Sequence, residues 1–137
     1  MSNFRFVIDT NVLVSSIAFP KQPPHLALHK ALDKGVLVFS RDTIAEFKEV
    51  LLRPKFDKYI QKRLREAFIV EIVTSALVVD SSPCKTHCRD PTDQKFLEIV
   101  NTGDVDFLIS GDKDLLVLQR VGKCTIVSPA EFLKLAI

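Results

Sequence analysis

The residues Phe4-Arg5-Phe6-Val7-Ile8-Asp9-Thr10-Asn11-Val12-Leu13-Val14 limit what the chain can fold into more than any other stretch. A short apolar run ends on one carboxylate, polar residues follow, and a second apolar run begins. The pattern predicts a buried strand over Phe4–Ile8 and a helix from Asn11 onward. Asp9 then stands where the strand stops. An acid is misplaced in an apolar core, but well placed outside the carboxyl ends of the strands in an open α/β sheet, where ligands collect. Thr10 and Asn11 are positioned to satisfy the free N–H groups of the following helix. A plain strand-to-helix turn would also accept Asp9. What argues for more is that acids recur at junctions of the same kind further along.

Three more apolar runs, at 36–39, 107–109 and 125–127, predict buried strands, and 77–79 is a fourth candidate. Between them lie helical patterns. Residues 25–34 place Leu28 and Leu32 on one face and end at Gly35, a C-cap signal. After Ser40, Ile44, Phe47 and Leu51 form an apolar stripe that Arg53-Pro54 terminates. Residues 61–76 read as an amphipathic helix with Leu64, Phe68 and Ile72 buried and Lys62, Arg63 and Arg65 on the outer face. Asp90-Pro91-Thr92-Asp93 starts a helix, with Asp90 as N-cap and Pro91 at the first helical position. Ser128-Pro129-Ala130-Glu131 starts the last one. Strands and helices alternate, so the expected fold is α/β: a central parallel sheet covered on both faces. With 137 residues, 47% of them hydrophobic, the expectation is one domain over 1–137.

The acids fall at the junctions. Asp9 ends the first strand, Glu46 lies early in the helix after the second, Asp93 opens the helix before the fourth, and Asp112, with Asp114 close behind, follows the fourth. In a parallel sheet these positions share one edge. Four carboxylates gathered there repel one another unless a cation intervenes. Hard divalent ions with oxygen ligands suit such a set, Mg²⁺ or Mn²⁺ best, and a metal pair so held promotes phosphodiester cleavage. Taken singly, each acid has a plainer use: Asp90 as a cap, Asp93 facing a helix dipole, Glu46 as a solvated helix residue, Asp112 and Asp114 in a turn. Gly111 is expected to let the backbone turn sharply and bring Asp112 to the crevice, leaving Asp114 as a cap or supporting group. Lys55, Lys58, Lys62, Arg63 and Arg65 form a basic stretch that suits phosphates or simply a solvated face.

The net charge of +2 permits a nucleic-acid partner without requiring one. No apolar run has the length of a membrane span, and Asp9 interrupts the only candidate for a leader, so the reading is of a cytoplasmic chain with no membrane association. Three cysteines, an odd number, speak against a disulfide framework. Cys84, His87 and Cys88 lack the spacing of a zinc knuckle, and read as a loop that carries thiols.

As a set, Val7-Ile8-Asp9-Thr10-Asn11-Val12-Leu13, residues 40–47 with Glu46, Arg89-Asp90-Pro91-Thr92-Asp93 with Phe96-Leu97, and Ser110-Gly111-Asp112-Lys113-Asp114-Leu115 resemble the PIN-domain ribonucleases, over nearly the full chain. The likeness is greatest to the branch regarded as toxins of toxin–antitoxin pairs. It implies a three-layer α/β/α sandwich around about five parallel strands, and an endoribonuclease dependent on Mg²⁺ or Mn²⁺ that hydrolyses single-stranded RNA. It also implies a cognate antitoxin as partner and a homodimer. On this resemblance Asp9, Glu46, Asp93 and Asp112 match the acidic metal-binding quartet, and Thr10 matches a small hydroxyl near the metal. Asn11, Asp90 and Asp114 are candidates for a supporting shell. The departure is at Asp112, where many relatives carry Asn, with Asp114 as a second acid.

A phosphatase of the haloacid dehalogenase type also starts with a strand ending in Asp. It needs a second acid two residues later, and here that position is Asn11. A phospho-acceptor receiver domain is a weaker rival of the same sort. A PIN-like fold that only binds RNA or protein would have no need of the acids.

Overall fold

Each apolar run becomes a strand in the computed structural model, which describes residues 3–137. In chain order the elements are β1 (Phe4–Ile8), α1 (Thr10–Ala18), α2 (Pro23–Lys34), β2 (Gly35–Phe39), α3 (Arg41–Leu51), α4 (Lys62–Thr74), β3 (Leu77–Val78), α5 (Gln94–Leu97), β4 (Phe107–Ile109), α6 (Lys113–Leu116), β5 (Arg120–Val121), β6 (Cys124–Val127) and α7 (Pro129–Lys134). Short 3-10 turns at Pro54–Phe56 and Pro91–Asp93 precede α4 and α5. The sheet order is β3-β2-β1-β4-β6-β5. Five strands run parallel, as expected, and β5 adds an antiparallel sixth at one edge. Two residues, Arg120 and Val121, are too few to give a pattern in the sequence.

Alternation along the strands separates two cores. Phe6, Ile8, Leu37, Phe39, Ile109 and Val127 face one side, where α1, α2, α3, α4 and α7 pack. Val7, Val38, Leu108 and Ile126 face the other, against Phe96, Leu97, Val100 and Leu115. The result is three layers. Phe132 of α7 is fully buried and meets Phe6 edge-on, with ring centroids 5.4 Å apart; burial of such a ring contributes about 1.5–3 kcal/mol. Cys84 and Cys88 are small members of the second core, whereas His87 between them is exposed. Gly35 ends α2 and opens β2 because nothing larger fits: a Cβ there would lie 1.8 Å from the Phe4 carbonyl oxygen.

Helix α4 packs Ile72 and the partly buried Phe68 inward, as the spacing predicts, but is rotated so that Leu64 faces out. Leu64 is half-exposed, and Arg65, Ile69 and Ile72 are buried. Arg65 is therefore not on the outer face. Its guanidinium donates to the carbonyls of Ile60, Leu51 and Arg53 at 3.0, 2.9 and 3.2 Å, and to the Asp57 carboxylate. These bonds tie the connector between α3 and α4 to the ends of both helices. Leu32 remains 39% exposed while Leu28 is buried.

The chain turns from β1 toward β2 and β3 on one side, and later adds β4 and β6 on the other. The topological switch point lies between β1 and β4, where open α/β sheets bind ligands. Ile8, Ile109 and Val127 stand in register, so the residues that follow them line up along one edge. Among the described residues, no helix is long and apolar enough to cross a membrane.

Candidate metal centre at the switch point

Asp9 is itself the N-cap of α1, a role the sequence reading gave to Thr10 and Asn11. Its Oδ1 accepts the backbone N–H groups of Asn11 and Val12 at 2.7 and 3.4 Å. Its Oδ2 accepts the Ser110 hydroxyl from the end of β4, and that hydroxyl oxygen in turn accepts the Asp112 N–H at 2.9 Å. Burial pushes the Asp9 carboxyl up, and the nearby Asp112 charge adds to this; the bonds from Ser110, Asn11 and Val12 pull it back. The carboxylate is thus fixed in direction at the mouth of an open cleft of about 330 Å³, lined also by Asn11, Ser15, Gly111 and Asp112.

Opposite stand Asp90, Asp93 and Asp112, each offering a carboxylate oxygen, all within 4.8 Å of one another. Asp90 caps the 3-10 turn, accepting the Thr92 N–H at 3.0 Å, yet also belongs to this group. Asp93 Oδ2 is buried without any donor. Burial, a bond to Asp112 and the charges of Asp112, Asp9 and Asp90 raise the Asp93 carboxyl to about 8. Asp112 moves down, because Asp93 and the Asp114 N–H both donate to it. The two neighbouring carboxyls are thus driven in opposite directions, one up and one down, as expected of acids that share one site. The donor set is all oxygen, crowded with negative charge and left with an orphaned buried atom. A hard divalent cation satisfies each of those conditions.

Of the expected quartet only Asp93 and Asp112 belong to this group; Asp9 reaches it through Ser110, and Glu46 lies apart. Its Oε1 accepts the Thr10 hydroxyl and its Oε2 the Lys95 ammonium, both at 2.5 Å. It therefore touches the neighbour of Asp9 but stands outside the Asp90–Asp93–Asp112 group, with a cation already beside it. Asp112, not Asp114, caps α6, accepting the Asp114 N–H at 2.8 Å. Asp114 is half-buried with the Arg89 guanidinium 3.9 Å away. Gly111 does not serve a sharp left-handed turn. A Cβ there would meet nothing within 4 Å; the space above it is the cleft itself. Lys55, Lys58, Lys62 and Arg63 are exposed on the connector and α4, while Arg65 is not.

Ser110 and Lys95 are the two members of the site that the sequence reading missed. Ser110 follows an apolar run as Asp9 does, so the register of adjacent strands was its signal. Lys95 lies one helical turn after Thr92, whose carbonyl it also meets.

A family model described as the PIN domain matches residues 5–114, most of the chain and all of these acids. The chain belongs to the PIN-domain family, a family of nucleases that use divalent metals. An uncharacterised protein of Methanocaldococcus jannaschii is 28% identical over 123 residues, 87% of this chain and 77% of its own length. Two solved structures share the fold at low identity. One is VapBC2 of Rickettsia felis, bound to a DNA fragment from the promoter (TM-score 0.60, 12% identity, 91% of this chain and 98% of that one). The other is PAE2754 of Pyrobaculum aerophilum (TM-score 0.57, 14% identity, 98% and 90%).

Proposed function

We propose that this chain is a Mg²⁺- or Mn²⁺-dependent endoribonuclease that hydrolyses single-stranded RNA, acting in the cytoplasm as the toxin of a toxin–antitoxin pair. The observation that carries the chemistry is the Asp93 oxygen, buried without a donor among Asp90, Asp112 and Asp9. Asp9, Asp93 and Asp112 would hold the ion, with Asp90 beside them. When bound, the divalent ion lowers the pKa of water at the scissile phosphate and offsets the charge that develops there. Ser110 and the first amides of α1 orient Asp9, so that no rotation is needed during reaction. Glu46, held by Thr10 and Lys95, would add negative charge beside the ion's ligands. The cleft is open, which suits a flexible strand. Lys55, Lys58, Lys62 and Arg63 supply positive charge for its phosphates.

The toxin role, with a cognate antitoxin as partner, rests on the likeness of fold to VapBC2; a homodimer rests on the family resemblance alone. The decisive experiment incubates an end-labelled single-stranded RNA and its duplex form with the chain in Mn²⁺, in Mg²⁺ and in EDTA. Internal cuts in the single strand, present with either ion and absent in EDTA, are the expected result. Intact RNA together with rapid hydrolysis of a small phosphate ester would move the chain to the phosphatases.

A further inference from the structure

Helix α1 joins two regions of different chemistry. Its N-terminus carries Asp9, and after about 14 Å of helix its C-terminus delivers Phe19. The Phe19 ring is 60% exposed, and across from it Tyr59, on the connector between α3 and α4, is 69% exposed. With Phe56, Val14, Ser15 and Ala18 these rings line an apolar cleft of about 250 Å³. Ser15 also lines the acidic cleft, so the two depressions share a wall. Cations surround the rings: the Lys55 ammonium lies 5.2 Å from the Phe56 centroid and the Lys58 ammonium 5.1 Å from that of Tyr59. The connector's one carboxylate, Asp57, is bound by Arg65, so it does not cancel that charge.

Exposed rings beside lysines, on an apolar floor, are what a single strand of nucleic acid uses: bases stack and phosphates meet ammonium groups. A protein partner is the poorer match, since lysine is depleted at the core of protein interfaces. We propose that this cleft is a nucleobase-stacking subsite, in which Phe19 and Tyr59 hold a base of single-stranded RNA a few nucleotides from the phosphate at the acidic pocket. The subsite rests on the RNA-cleaving function set out above, and gives it a second contact independent of the metal. Arg65, by tying the connector down, keeps Tyr59 opposite Phe19.

Tyr59 is the only tyrosine and the chain has no tryptophan, so 3-fluorotyrosine gives one ¹⁹F resonance that reports this cleft alone. The full chain carrying Asp9→Asn, which leaves RNA uncut, is titrated in Mg²⁺ with a short single-stranded RNA and with the same backbone lacking bases. The RNA should shift the resonance and the abasic strand should not. Phe19→Ala and Tyr59→Ala should each weaken RNA binding about tenfold, Tyr59→Phe should preserve it, and none should move the unfolding midpoint appreciably. A resonance unmoved while fluorescence anisotropy shows the RNA bound would overturn the subsite, as would an equal shift with the abasic strand. So would a shift caused only by an antitoxin protein. Cleavage by the unsubstituted chain in Mn²⁺ separates the two ideas. Cutting without a shift removes the subsite and leaves the nuclease. A shift without cutting keeps the subsite and removes the nuclease, and neither signal removes both.

Discussion

Arg65 and Asp93 are both charged residues drawn into the protein, and they are treated in opposite ways. The Arg65 guanidinium is fully buried, and every edge of it is used, by three main-chain carbonyls and one carboxylate. Asp93 is half-buried among like charges, with one oxygen bare of donors and a carboxyl raised to about 8. The first ion is complete within the chain; the second is complete only with a proton or a cation. A buried charge whose partners are all built in serves the architecture, whereas one left short of a partner marks the place where something else binds.

The largest effect should come from breaking the complete ion. Arg65→Ala strands the carbonyls of Leu51, Arg53 and Ile60 and should lower stability by about 3–4 kcal/mol in urea unfolding. Arg65→Lys should recover only part of that, since an ammonium cannot span the same fork of acceptors. A loss below about 1 kcal/mol would mean the corner is held by packing alone. Next comes the incomplete site. Asp9→Asn should cut RNA more than about 100-fold slower, a larger loss than is typical for groups that only support metal ligands, with no fall in the urea midpoint. Equal rates for parent and variant would place the chemistry elsewhere.

Adding the missing partner should stabilise the fold. An ion at 100 times its Kd, bound only by the native state, contributes about 2.7 kcal/mol. Mg²⁺ or Mn²⁺ should therefore raise the melting temperature of the parent, and much less that of Asp93→Asn. Identical ion responses would mean that Asp93 is no ligand. In EDTA the sign reverses. The folded Asp93 keeps its proton up to about pH 8, against an ordinary value of 3.8 for the unfolded chain. Between those values the native state binds more protons, so this group's stabilisation is full below about pH 4 and is lost as pH rises through about 8. The depressed Asp112 carboxyl works the other way, its contribution being lost only as pH falls below the ordinary carboxylate range. Asp93→Asn should flatten the fall toward pH 8 and raise metal-free stability at that pH by about 1 kcal/mol after solvent screening; a parent melting curve that ignores pH from 5 to 8 would contradict it. The smallest effect belongs to Asp114, which caps nothing. Asp114→Ala should stay within about 0.5 kcal/mol of the parent in urea. Asp112→Asn should raise the metal concentration needed for cleavage, and by more than Asp114→Asn does.

The sequence made the parallel frame legible because the strand runs are continuous and apolar, and because Asp9, Ser40 and Ser128 each follow one of them. The PIN-family likeness was legible from the junctions. Side-chain direction was harder to read. A helix that starts at Lys62 can bury either of two overlapping stripes: Ile72 and the partly buried Phe68 lie inward as their spacing predicts, while Leu64 gives way to Arg65 and Ile69. The choice is decided by three carbonyls at the α3 corner, which a linear pattern does not show. The same holds for Asp112 and Asp114: two acids in one turn compete for one cap, and the strand end, close to Ser110, settles which is used. Lys95 was overlooked because it becomes relevant only when α3 and α5 lie side by side and bring Glu46 to it.

The sheet ends in β3 on one side and β5 on the other, each two residues long. Edge strands this short are poor templates on which a neighbouring polypeptide could extend the sheet, although β3 covers only Val38 and Phe39 of β2. Assembly with a second copy or with another protein is thereby directed to side-chain surfaces on the helices. A chain whose strands are this rich in Phe, Val, Ile and Leu is in this way shielded, once folded, from the edge-to-edge stacking that leads to fibres.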